Sequence, residues 1–180
     1  MPVPTTFLLD KGIVRGVFEG TVRLVVGRNP TTEQLQAISV YQVLLTTGRK
    51  VCVTPEAANS ARRRDERIAT TLLNPLVILT PGRYLRRWAR RMRKHGITRE
   101  DAVIVAYASF GLDPTWREVG AEVFVTRDKR LITRYREVEE TLNSRFRRMV
   151  SHLQPPYRLA TLPIILSPSE TLALLSEEMH

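Results

Sequence analysis

Cysteine is almost missing from this chain. Cys52 stands alone, which excludes a disulfide framework and a thiolate metal cluster. The three histidines, His95, His152 and His180, lack the catalytic context that a Ser–His or Cys–His nucleophile needs. There is no Gly-rich loop of the P-loop or dinucleotide type, which argues against a nucleotide-binding flavodoxin-like domain. Glycine and proline are few and scattered, with no repeat at a fixed period and no low-complexity tract. The longest apolar run, residues 102–112, is roughly half of what a membrane-spanning helix needs. Met1-Pro2-Val3-Pro4-Thr5-Thr6 lacks the basic start and apolar stretch of a signal peptide. These absences predict a protein of the reducing cytoplasm with no membrane partner.

Acid is short as well. Eighteen Asp and Glu face 28 Lys and Arg, for a formal net charge of +10, and 24 of the basic residues are arginine. The planar Arg fork matches phosphate oxygens two at a time, where Lys offers a hydrated point charge. A chain this basic attracts polyanions, chiefly nucleic acid. The plainer alternative is an arginine-rich surface set by genome composition or heat tolerance. Hydrophobic residues fill 43% of the 180 positions, enough for one core, and the length suits one domain, residues 1–180.

Short apolar runs predict strands at residues 6–9, 50–53, 76–79, 123–125 and 162–166. Helix-start chemistry falls between them. Thr31-Thr32-Glu33-Gln34 opens a helix with Leu35, Ile38, Tyr41 and Leu45 on its inner face, and Thr54-Pro55-Glu56 opens another. Residues 84–94 form a two-faced basic helix, and Thr98 caps a helix over 99–110. A long helix over 135–153 turns Val138, Leu142, Phe146, Met149 and Leu153 inward, and Ser167-Pro168-Ser169-Glu170 opens the last one. Strands alternating with helices predict an α/β fold of three layers, α/β/α, around a mostly parallel, Rossmann-like sheet.

In such sheets ligands sit beyond the carboxyl ends of the strands. Asp10 ends the first strand, Glu56 opens the helix after the second, Asp101 lies in a helix first turn, and Asp128 follows a later strand. Singly, each has a structural explanation, since acids favour helix starts and turns. Together they place four carboxylates at one edge of a basic protein. Such groups repel and raise one another's pKa unless a divalent cation holds them, and oxygen-only ligands suit Mg²⁺ or Mn²⁺.

These motifs resemble the PIN-domain family. Phe7-Leu8-Leu9-Asp10 looks like its opening strand and first acid, and Glu56-Ala57-Ala58-Asn59 like its E-x-x-N motif. The run from Asp101 through Ala108 is similar to the D-A-x-I-x-A-x-A helix, and Val125-Thr126-Arg127-Asp128 to V-T-x-D. Ile165-Leu166-Ser167-Pro168-Ser169-Glu170 resembles the close of toxin-type members. The resemblance implies a Mg²⁺- or Mn²⁺-dependent endoribonuclease, often the toxin of a VapC-like toxin–antitoxin pair. Asp10, Asp101 and Asp128 would hold the metal, and Glu56 would complete the shell or steer a water. It further implies RNA as substrate, an acidic antitoxin protein as a further partner, and a homodimer.

The sequence also departs from the family's pattern. Lys11 follows the first acid where the family has a small polar residue, and Arg130 stands where many members carry another acid. A catalytically degenerate RNA-binding or scaffold module on the same fold is therefore the alternative reading. Substrate contacts are expected from Lys11, Asn59, Arg62, Arg63 and Arg127, and from Arg87, Arg90 and Arg91 on the basic helix. On that helix Leu85, Trp88, Ala89 and Met92 make the apolar stripe.

Overall fold

The computed structural model describes residues 4–177; residues 1–3, which open the N-terminal segment read above, and residues 178–180, with His180, lie outside them. In chain order the described residues form β1 (Thr6–Leu9), α1 (Lys11–Val25), α2 (Thr32–Thr46), β2 (Lys50–Val53), α3 (Pro55–Arg62), α4 (Glu66–Leu73) and β3 (Val77–Ile78). There follow β4 (Thr80–Pro81), α5 (Leu85–Arg93), α6 (Arg99–Phe110), β5 (Gly111–Leu112), β6 (Val123–Val125), α7 (Lys129–Val150), β7 (Ile164–Leu166) and α8 (Pro168–Glu177).

Five strands pair in parallel in the order β3-β2-β1-β6-β7. Leu9 lies level with Val53 on one side and Val125 on the other, and Val125 with Leu166. β4 and β5 form a separate antiparallel pair. Because side chains alternate across a strand, the apolar runs feed two cores. Phe7, Leu9, Val51, Val53, Val123 and Val125 pack under α1 to α4 and α8, while Leu8, Cys52, Phe124 and Ile165 pack under α5, α6 and α7. The fold is the expected three-layer α/β/α arrangement, with every strand of the main sheet parallel.

Several elements differ in detail. α1 follows β1 directly and was not anticipated, because Gly12, Gly16, Gly20 and its valines all have weak helix propensity. It is held by packing: Gly16 and Gly20, one turn apart, let α2 approach until Ala37 and Ile38 lie where their side chains would have been. That contact also rotates α2. Its buried residues are Gln34, Ala37, Val40 and Leu44, whereas Leu35 points to solvent. α7 begins at Lys129 and not near residue 135, since Asp128 caps it, so Leu131, Ile132 and Tyr135 join its inner face. On α5 the stripe Leu85, Trp88, Ala89 and Met92 is buried as expected.

Candidate active site

The strand order reverses at β1, whose neighbours are β2 and β6; this is the switch point where parallel sheets open a crevice. Asp10 leaves β1 at that point, its N–H bonded to the Val125 carbonyl at 3.0 Å. Thr126, fully buried after β6, donates its hydroxyl to Asp10 Oδ2 at 2.8 Å and accepts the Asp128 N–H at 3.1 Å. One threonine thus ties the first acid to the fourth. Asp128 Oδ1 accepts the Leu131 N–H at 3.0 Å as the cap of α7. Asp101 sits in the first turn of α6, with Oδ2 accepting from Thr98 Oγ1 at 2.6 Å. Both acids therefore do serve as helix-start groups, each with one carboxylate oxygen engaged and the other without a hydrogen bond among the described residues.

Asp10 registers the crowding. Burial pushes its pKa above the ordinary carboxylate value; the Thr126 hydroxyl and the Lys11 backbone pull it back, and the negative charges of Asp101 and Asp128 push it up again. Asp101 and Asp128 are thus near enough for their charges to act on Asp10, with burial the larger cause.

Beside them opens a cleft of about 670 Å³, lined by Asp10, Lys11, Arg15, Glu56, Arg64, Arg99 and Glu100 among others. Lys11 Nζ meets Glu56 Oε1 at 2.7 Å across it, with both side chains well exposed. Glu56 is thus directed to an ammonium on α1. Among the described residues, no three His, Cys, Asp or Glu side chains are grouped tightly enough to hold a metal ion by themselves. The donor chemistry still fits Mg²⁺ or Mn²⁺, because Mg²⁺ keeps several waters and binds through one or two carboxylates.

The basic residues divide. Arg15, Arg64 and Arg99 line the cleft, whereas Arg62, Arg63, Arg87 and Arg90, like the neutral Asn59, are exposed outside its lining. The triple arginine after Glu56 contributes its third member, with Arg64 Nη1 at 2.9 Å from Glu19 of α1. Arg15 was missed along with α1, although its spacing of four from Lys11 marks one helix face. Arg127, next to Asp128, turns its guanidinium to the Glu33 backbone carbonyl at the start of α2, and its charged neighbours are Glu33 and Arg15. Arg91 lies in a different groove, against α7.

Fold and site together define a parallel α/β domain with Asp10 and Asp128 joined through Thr126 at the switch point of its sheet and a basic rim on the cleft beside Asp10. In comparisons with known proteins, no family model, no curated protein and no solved structure matches the chain.

Proposed function

We propose that the chain is a divalent-metal-dependent endoribonuclease of the PIN-domain kind. The observation that carries this reading is the Asp10 environment: a half-buried carboxylate at the switch point, with the charges of Asp101 and Asp128 acting on it, inside a chain of net charge +10. A fold gathers like charges at one edge, against their repulsion, where a cation is to be bound.

In this reading Asp10, Asp101 and Asp128 hold Mg²⁺ or Mn²⁺, directly or through water. Such an ion, when bound, would supply an acidified water as nucleophile and positive charge for the phosphate in the transition state. Thr126 orients Asp10 and, by donating to it, offsets part of the rise in pKa that burial causes. Arg15, Arg64 and Arg99 on the cleft rim bind flanking phosphates. Lys11 either grips the scissile phosphate or holds Glu56 in place for it. The toxin role, an acidic antitoxin partner, a homodimer and a cytoplasmic location belong to the same proposal and rest on the sequence resemblance. No described helix is long and apolar enough to cross a membrane.

A second reading is supported by the Lys11–Glu56 ion pair, which occupies the cleft with a fixed cation of its own. There the fold is a degenerate module that binds RNA without cutting it. The test is cleavage of a mixed RNA panel by purified protein with Mn²⁺, Mg²⁺ or EDTA, beside Asp10→Asn. Metal-dependent cutting that is lost in the variant is expected. Binding without cutting under every metal supports the degenerate module instead.

A further inference from the structure

A second concave surface lies away from the carboxylates, between α5 and the C-terminal half of α7. It has a volume of about 860 Å³ and is lined by Arg91 and Lys94 at the end of α5 and by Arg145 and Arg148 on α7, with Ser144 and Glu140 between them. Its α7 residues begin about 20 Å along the helix from Asp128 and extend to about 30 Å, at 1.5 Å per residue. It is therefore not part of the acidic cleft.

The arrangement is regular. Arg91 and Lys94 are spaced i, i+3, as are Arg145 and Arg148, so each pair presents its charges on one helix face. The two helices are locked beneath the groove, where fully buried Trp88 of α5 packs edge-on against Phe146 of α7 with ring centroids 5.0 Å apart. The positive pairs are thus held facing one another on a rigid floor. None of the four cations is paired with a carboxylate among the described residues, whereas Lys11, Arg64, Arg134 and Arg136 all are. Glu140 is the groove's single acidic lining residue, so four positive charges stand against one. His95 nearby reports the same field: burial lowers its pKa first, and Arg145 and Arg134 lower it further.

We propose that the α5–α7 groove is a second, non-catalytic docking site for the phosphodiester backbone of a nucleic acid, gripped by Arg91, Lys94, Arg145 and Arg148. Charge complementarity selects the occupant, and the absence of any aromatic residue from the lining makes the grip independent of base identity. The Ser144 hydroxyl adds a neutral donor for a phosphate oxygen. The site needs no metal and does not depend on the nuclease reading.

The test uses the full chain in EDTA, with fluorescence anisotropy of a short labelled single-stranded RNA, its duplex, and DNA of the same sequence across a KCl series. Arg145→Gln/Arg148→Gln is compared with Arg28→Gln/Arg67→Gln, which removes equal charge from exposed positions on the α1–α4 side of the sheet. The groove pair is expected to weaken binding at least about tenfold, since hydrogen bonds from charged groups are the strong ones. It should also flatten the plot of log K against log[KCl] by about 1.4 for a single strand or about 1.8 for a duplex. The control pair changes neither by comparable amounts, and Arg145→Lys/Arg148→Lys restores the slope. Loss on RNA alone assigns the groove to RNA, and loss on both polymers assigns it to any phosphodiester backbone; both uphold the proposal. Equal loss in the two double variants overturns it. So does unchanged nucleic-acid binding by a groove variant that has lost affinity for a poly-glutamate peptide.

Discussion

Asp10 shows how a single side chain can be positioned at the expense of stability. Its raised pKa means that the folded state holds its proton more tightly than the unfolded chain. The favourable contribution is then complete below the unfolded pKa and is lost as pH rises through the folded one, so above the folded pKa the ionised group costs the fold stability. Asp10→Asn keeps an oxygen to accept from Thr126 and removes the charge. The variant is expected to melt at a higher temperature than the parent at pH 7, with the gap closing as pH falls toward the ordinary carboxylate range. A thermal melt series from pH 3 to 8 measures it; a variant less stable at pH 7 would show that the carboxylate is not under strain. Other residues carry no such tension. Cys52 is fully buried in β2, and burial pushes its thiol up to about 12, so it is a packing residue and not a nucleophile.

At the scale of elements, the α1–α2 pair was the least legible. Gly16 and Gly20 weaken α1 as an isolated helix yet make it possible beside α2, because a Cβ on Gly20 would stand 2.7 Å from Ile38 Cδ1 and 3.1 Å from Gln34 Cβ. Gly20→Val is expected to overpack that contact and cost about 1–3 kcal/mol, read as a lower urea midpoint at unchanged slope. α7 begins about a turn and a half before the expected residue 135 for a related reason: its first turn is fixed by the Asp128 cap, whose carboxylate accepts the Leu131 N–H. Elements with strong local signals were read well. Thr98 before α6 and the apolar triplet of β6 each marked its element within a residue, as caps and buried strands have short-range causes.

For the whole molecule, the sheet order brings Asp10 and Asp128 together through Thr126 although they lie far apart in sequence, so a metal held there would be linked to global stability. Under the nuclease reading, Mn²⁺ at 100 times its dissociation constant should stabilise the fold by about 2.7 kcal/mol, which for a chain of this size is ~5–11 °C in Tm. The shift should be absent in Asp10→Asn. A parent protein whose melting is indifferent to Mn²⁺ would favour the binding module.

The parallel α/β class, the basic charge and the helix-start positions of Glu56 and Asp101 were legible from local pattern, because strand hydrophobicity, helix caps and charge are properties of neighbouring residues. Which basic residues meet which acids was not. The arginine helix was expected to feed the acidic cleft, yet Arg91 faces Arg145 and Arg148, and the cleft takes its rim from Arg15, Arg64 and Arg99. Arg127 turned to α2 for the same reason. A side chain's partner is set by how helices roll against each other and the sheet, through contacts such as Gly16 on Ala37 and Trp88 on Phe146. Those contacts join residues distant in the chain, so only the tertiary structure decided them.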